Sequence, residues 1–319
     1  MTASIDVVIP AYNRWDLTSG CLRHLDAQTA AHRVIVVDNG STDETRASLR
    51  RDWPRVKVVE LDHNHPFTRA VNLGVAAGDG EYVVLLNNDV ELRPDCLEHL
   101  VSPLREDSAV GSVAAVLLQP DELVIDSVGV TTDVTLAGFP RLQGLAPEQA
   151  QDLQPLLTGP EGTAAAYRRA AWEQVGGLDE SIVAYMEIID LALRLRGAGW
   201  SSACALDAVG VHLGSATFGR RSVEQRRLAG FSRGYLLRRY GVLQSRFALR
   251  ALFTETLVVA GDALLTRDLA ALRGRLAGWR SARGLEARSR PPAEAIDGEI
   301  SLRESLELRR GLVRERARA

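Results

Sequence analysis

RVIVVDNGSTD, residues 33–43, joins a continuous apolar run to a polar, glycine-containing turn. Val34, Ile35, Val36 and Val37 form an unbroken β-branched run, the pattern of a strand buried on both faces, and the run opens at once into the turn formers Asp38, Asn39 and Gly40. A strand buried on both faces needs a helical layer on each side. Upstream, residues 4–10 (SIDVVIP) form a second strand of this kind. Between the two, Leu17, Cys21, Leu22 and Leu25 recur at helical spacing behind Asp16, which is read as the N-terminal cap. The result is a βαβ unit. Downstream the alternation continues, with strand over 56–61, helix over 67–77, strand over 82–86 and helix over 94–104. The predicted architecture is α/β, a mostly parallel sheet flanked by helices with a Rossmann-like first half, and such sheets bind ligands at the carboxyl ends of their strands. Asp38, Asn87 and Asp89 fall at those ends.

From residue 114 to 157 the pattern weakens, with Gly129, Gly138, Pro140, Gly144, Pro147 and Pro155 cutting it into short strands and loops. A helix is predicted over 167–175, stopped by Gly176 and Gly177, and another over 185–198, ended by Gly199. After about residue 219 the chain is rich in arginine, leucine and alanine and reads as a helical extension. The expected division is a main domain over 1–218, in halves 1–112 and 113–218, followed by an extension over 219–319.

Composition narrows the class of function. Of the 319 residues 46% are hydrophobic and 25% charged, and the net charge of -3 offers no general attraction to nucleic acid. Cys21, Cys96 and Cys204 match no metal or redox spacing and read as reduced thiols of a cytoplasmic protein. No signal peptide is expected at the start. The apolar run 252–265 is interrupted by Glu255 and Asp262 and is shorter than the ~20 residues of a membrane span.

Two clusters carry chemistry. Pro10, Tyr12 and Asn13 follow the first strand, and Asp38, Asn39 and Gly40 follow the second. A glycine-containing loop of short polar side chains allows close approach of a nucleoside, and a carboxylate accepts hydrogen bonds from a base or ribose. The same residues also suit a capped turn, with Ser41 or Thr42 as the cap. Asn87, Asn88 and Asp89 close the strand over 82–86 with oxygen donors suited to Mg²⁺ or Mn²⁺ beside a diphosphate, or else form an Asx turn.

Taken in order, P-x-Y-N at 10–13, V-D-N-G-S-x-D at 37–43, NHPFTRAVNLG at 64–74 and GEYVVLLNND at 80–89 resemble the nucleotide-sugar half of glycosyltransferase family 2, of GT-A fold. GPEGTAAAYRR at 159–169, VGGLDE at 175–180, YMEIIDLALRLRGAG at 185–199 and His212 in VHLGSAT extend the resemblance to residue 217. It implies an inverting transferase that moves a sugar from a nucleoside diphosphate donor, dTDP- or UDP-linked and rhamnose-like, to a hydroxyl of a glycan, a lipid-linked saccharide or a small molecule. It further implies that Asp38 contacts the base and that Pro10, Tyr12, Asn13, Asn39 and Asn72 line the nucleotide-sugar pocket with Asn87 and Asn88. A divalent cation, Mg²⁺ or Mn²⁺, is then expected at Asp89 and His212. Asn87 stands in the first place of the family's D-x-D motif, as in members resembling rhamnosyltransferases, and Pro66 stands where glycine is usual.

The main departure is EIID at 187–190, where the family pattern is E-D-x-D and the aspartate after the glutamate is the base. Ile188 occupies that place and cannot accept a proton. Glu187 and Asp190, three apart on a helix, are the replacement candidates, although Asp190 also suits an ion pair with Arg194 one turn on. Loss of the base would leave instead a silent module that binds a nucleotide sugar or glycan. Finally, Arg220, Arg221, Arg226, Arg227, Arg233, Arg238 and Arg239, interleaved with leucines, suit either an anionic membrane surface or a packed helix with a solvated face.

Overall fold

The computed structural model describes residues 4–152, 154–214 and 222–309. In chain order the first half holds β1 (Ile5–Ala11), α1 (Trp15–Asp26), β2 (Arg33–Asp38), α2 (Thr45–Asp52), β3 (Lys57–Glu60), α3 (Phe67–Ala76) and β4 (Tyr82–Leu86). Then follow β5 (Val90–Leu92), α4 (Cys96–Glu106), β6 (Val110–Leu118), β7 (Ile125–Ser127), β8 (Val130–Thr132), β9 (Gly138–Pro140) and β10 (Ala164–Arg168). The remainder holds α5 (Arg169–Gln174), α6 (Glu187–Gly197), β11 (Ser201–His212), α7 (Val223–Arg239), α8 (Ala248–Thr266), α9 (Ala270–Ser281) and α10 (Leu302–Leu308).

The large sheet runs β3-β2-β1-β4-β10-β6-β11-β5, with β7 paired to β6. It is parallel through its first four strands, where each crossover carries a helix, and mixed beyond, because β10 returns antiparallel between β4 and β6. Alternation along each strand divides the core. Ile5, Val7, Ile9 and Val84 pack with Cys21, Leu22, Leu25, Leu97 and Leu100 on one face, while Val8, Ile35, Val37 and Leu85 pack with Ala70, Val71, Ile188 and Leu191 on the other. Each fully buried leucine or isoleucine contributes about 1.5–3 kcal/mol, so the two layers fix the strand ends firmly.

Several local expectations change. Asp16 lies in the first turn of α1 rather than at its cap, a place taken by Arg14 in a left-handed conformation, while Asp43 accepts from Trp15 N. The segment read as weak from residue 114 begins inside β6, a strand of nine buried residues in succession, since small and branched side chains between two layers need no turn. Residues 167–175 are not all helix: Tyr167 is fully buried in β10, and α5 starts at Arg169.

The arginine-rich segment does not lie open. Arg226 pairs with Asp262 and Asp268, Arg233 with Glu255, and Arg227 with Glu224, while Leu228, Tyr235, Leu236 and Leu237 are buried. Arg220 and Arg221, and the boundary placed at 218/219, lie outside the described residues. α7 instead packs against α9 through two G-x-x-x-G pairs, Gly230/Gly234 and Gly274/Gly278; a Cβ on Gly234 would stand 2.0 Å from Arg275 O, and one on Gly278 1.9 Å from Phe231 O. The backbones therefore touch. Residues of α7 to α9 share a core with Val130, Val134, Leu136, Ile189 and Leu193, which joins the extension to the second half of the sheet domain. No helix among the described residues is long and apolar enough to cross a membrane.

Candidate active site

The carboxyl ends of β1, β2 and β4 open into a cleft of about 1120 Å³. One wall carries Pro10, Tyr12, Asn13, Asn39, Asn64 and Phe67; the floor carries Asn87, Asn88 and Asp89; the far wall carries Phe139, Glu161, Tyr185, Met186, Glu187 and Ile188. The volume slightly exceeds the ~300–1,000 Å³ usual for a single small ligand. Two pairs of non-glycine residues flank it in the left-handed region, Asn13 and Arg14 at φ 54° and 58°, Tyr185 and Met186 at 63° and 64°. Such backbone costs about 1–2 kcal/mol per residue and concentrates at functional sites.

The loops of the first wall are tied to each other. Asn13 Oδ1 accepts from Thr42 N at 2.8 Å and Asn13 N donates to Ser41 Oγ at 2.9 Å, so Ser41 bridges two loops rather than capping a helix. Asn39 Nδ2 donates to Asn64 Oδ1 and His65 O, each at 2.9 Å, and its Oδ1 accepts from His65 N. Asn88 Nδ2 donates to Thr18 Oγ1 at 2.9 Å, which turns it toward α1, and Asn87 N donates to Thr163 O at 2.9 Å.

Four predicted residues, Asp38, Asn72, Asp190 and His212, do not line the cleft. Asp38 is fully buried, with Oδ1 taking Ser41 N at 2.9 Å and Oδ2 taking Arg46 Nε at 2.6 Å, so it shapes the loop from behind. Asn72 ties α3 to the turn before α6 through Leu178 N and O, both at 2.9 Å. Asp190 is fully buried: Arg194 Nε donates to Oδ2 at 2.8 Å, while Tyr240 OH, at 3.0 Å, and Arg288 donate to Oδ1. A carboxylate engaged by two guanidinium groups and a phenol is poorly placed to take a proton.

Glu187 and Ile188 do reach the cleft. Ile188 is 8% exposed and belongs to the core under α6. Glu187, at the start of α6, keeps Oε2 enclosed and without a hydrogen-bond partner in the protein. Burial raises its pKa to about 7. Glu161 has a similar environment: its Oε2 is enclosed and unpartnered, and burial pushes its carboxyl upward. The sequence reading misses Glu161, although its place between Pro160 and Gly162, just ahead of a strand, is a usable signal.

His212 and Asp89 are brought together by register. β11 pairs antiparallel with β5 so that His212 faces Val90, and Leu213 N donates to Asp89 O at 2.9 Å. His212 Nε2 lies 3.4 Å from Asp89 Oδ2, and Nδ1 lies 2.7 Å from Asp126 Oδ2. Burial alone lowers an imidazolium pKa, but the bonds to Asp126 and Asp89 outweigh it and raise His212 to about 10. Asp126, on β7, thus fixes the ring so that Nε2 faces Asp89, the orientation by which a carboxylate supports a histidine ligand. Asp89 Oδ2 and the neutral form of His212 Nε2 are a donor set that Mn²⁺ or Mg²⁺ accepts, so a cation there would have to displace the imidazolium proton, and of the two residues Asp89 lines the cleft.

Residues 6–176 match the profile of glycosyl transferase family 2, and the chain belongs to that family. It is thus a glycosyltransferase, and its fold is of the GT-A type. It is 29% identical over 209 residues to an N-acetylglucosaminyl-diphospho-decaprenol L-rhamnosyltransferase of Mycobacterium tuberculosis, covering 59% of this chain and 68% of that protein. It is 30% identical over 227 residues to the O-antigen biosynthesis protein RfbC of Myxococcus xanthus, covering 68% of this chain but 18% of that much longer protein. Among solved structures, GalNAc-T7 with UDP, GalNAc and Mn²⁺ aligns with a TM-score of 0.58 at 13% identity, over 80% of this chain and 54% of that one. A mannosyltransferase of Pyrobaculum calidifontis in complex with GDP-Man and Mn²⁺ aligns with a TM-score of 0.51 at 20% identity, over 89% and 76%. At these identities the structural likeness speaks for the fold alone.

Proposed function

We propose that the chain transfers a rhamnose-like sugar from a dTDP- or UDP-linked donor to a hydroxyl of a lipid-linked saccharide, with inversion, and that Glu187 takes the part of the base that Ile188 cannot play. The observation that carries this reading is the enclosed, unpartnered Oε2 of Glu187 at the cleft wall, with a pKa near 7. A base of that pKa is half ionised at neutral pH and contributes typically 10²–10⁴-fold. The nucleoside rests against Tyr12 and the tied loops of Asn13 and Asn39, and the diphosphate extends toward Asn87 and Asp89. Asp89 and His212 would hold a divalent cation, which would supply neutralising charge for the departing nucleoside diphosphate. Glu187 receives the acceptor proton on the opposite wall. The rhamnosyltransferase relative supports the donor and acceptor classes.

A second reading has its own support: Ile188 is packed into the core, so a chain that binds donor without turning it over would also have this structure. Nucleoside diphosphate release from a panel of dTDP-, UDP- and GDP-sugars, with Mn²⁺ and polyprenyl-diphosphate-linked saccharides, separates the two. The proposal expects turnover that a chelator abolishes, and at most a modest gain in Ile188→Asp. Donor binding without turnover, rescued only by Ile188→Asp, would establish the silent module.

A further inference from the structure

α8 is built inside out. Its 19 residues contain three charged side chains, Arg250, Glu255 and Asp262, and all three are engaged with the body of the protein. Glu255 takes Arg233 Nε and Arg275 Nε, each at 2.8 Å, Asp262 takes Arg226 Nη1 at 3.0 Å, and Arg250 donates to Ile300 O at 2.7 Å. Thr254, buried beside Glu255, satisfies its hydroxyl on Arg250 O within the helix. Only Ala251, Thr254 and Glu255 are buried. The outward side carries Leu249, Leu252, Phe253, Leu257 and Leu264, which share a face at helical spacing, with Leu265 at the end; Leu249, Leu264 and Leu265 are 81–84% exposed. Water is a poor neighbour for such a face, and contiguous apolar surface of this kind marks an interaction site.

We infer that the outward face of α8 seats on an anionic lipid bilayer, lying in its interface without crossing it. Charge selects this occupant over a second copy of the chain. Arg246 and Arg267, both exposed, stand just before and just after the helix, and both of its carboxylates are turned inward. A second copy laid along the same helix, in either direction, would set arginine ends against arginine ends. Anionic headgroups complement them. The inference deepens the proposed function, since a lipid-linked acceptor offers its hydroxyl at a bilayer surface, but its test does not depend on turnover.

The test is co-sedimentation of the full chain with vesicles of phosphatidylcholine alone and of phosphatidylcholine with phosphatidylglycerol, at low and high salt, for the protein and for the triple variant Leu249→Glu, Leu257→Glu, Leu264→Glu. All three side chains are exposed, so the variant should keep its Tm and its rate of donor turnover. The inference predicts binding to the anionic vesicles that weakens with salt and falls at least tenfold in the variant. It is overturned if the protein stays in the supernatant with anionic vesicles at low salt, or if the variant binds equally well. It is also overturned if the protein ignores vesicles but is a dimer that the variant converts to monomer, which would make the face a self-association surface. Loss of vesicle binding with turnover retained would leave the proposed function standing, and the reverse would remove it without touching this inference.

Discussion

At Glu187 a helix start leaves a carboxyl enclosed beside the cleft, and burial raises its pKa to about 7. A base must be ionised to act, so turnover should fall about tenfold per pH unit below pH 7 and level off above it. A pH–rate profile from pH 4 to 9 checks this; a limb near the ordinary glutamate value of 4.5 would speak against burial as the tuning force. Asp126 carries a second prediction. If it orients His212 for a cation, Asp126→Asn should weaken Mn²⁺ binding by ~10–100-fold, measured by calorimetric titration, with the fold intact. The sequence made Asp89 and His212 legible through their motifs. Asp126 was not legible, because it meets His212 only through the pairing of β7 with β6 and β6 with β11. Asp38 and Asn72 have tertiary partners that the sequence does not reveal, Ser41 and Arg46 on the one and Leu178 on the other.

Among the elements, the contact between α7 and α9 is the most exacting. Gly278→Ala would place a Cβ 1.9 Å from Phe231 O, so the helices must part. Overpacking of this kind costs about 1–3 kcal/mol, which should lower Tm by roughly 3–10 °C in a thermal scan. Gly261→Ala in α8 is the control, since its Cβ meets open space, and that variant should hold or slightly raise Tm. Equal losses in both would contradict close packing as the cause. Most strands and helices of the first half were legible to within a few residues because βαβ periodicity is local, but α2, short and mostly polar, and β5, three residues long, were not. β6 and β10 were blurred, since alanine-rich strands between two helical layers show neither alternation nor a helical stripe. The G-x-x-x-G pairs were visible in the sequence, but their pairing is a long-range fact.

Across the whole molecule the cleft has two sources. The parallel half contributes the tied loops of Tyr12, Asn13 and Asn39, and the mixed half contributes Glu161 and Glu187, with α6 braced from the far end of the chain by Arg288 on Asp179 and Asp190. Donor binding and proton removal therefore fall to different walls of the cleft. Glu187→Gln puts this to the test most directly, with donor affinity and nucleoside diphosphate release measured on the same protein in Mn²⁺ and acceptor. Donor Kd should be unchanged and turnover reduced by ~10²–10⁴-fold, the contribution of a general base. Turnover retained in Glu187→Gln would contradict it and place the base elsewhere on the cleft wall, with Glu161 the next residue to replace.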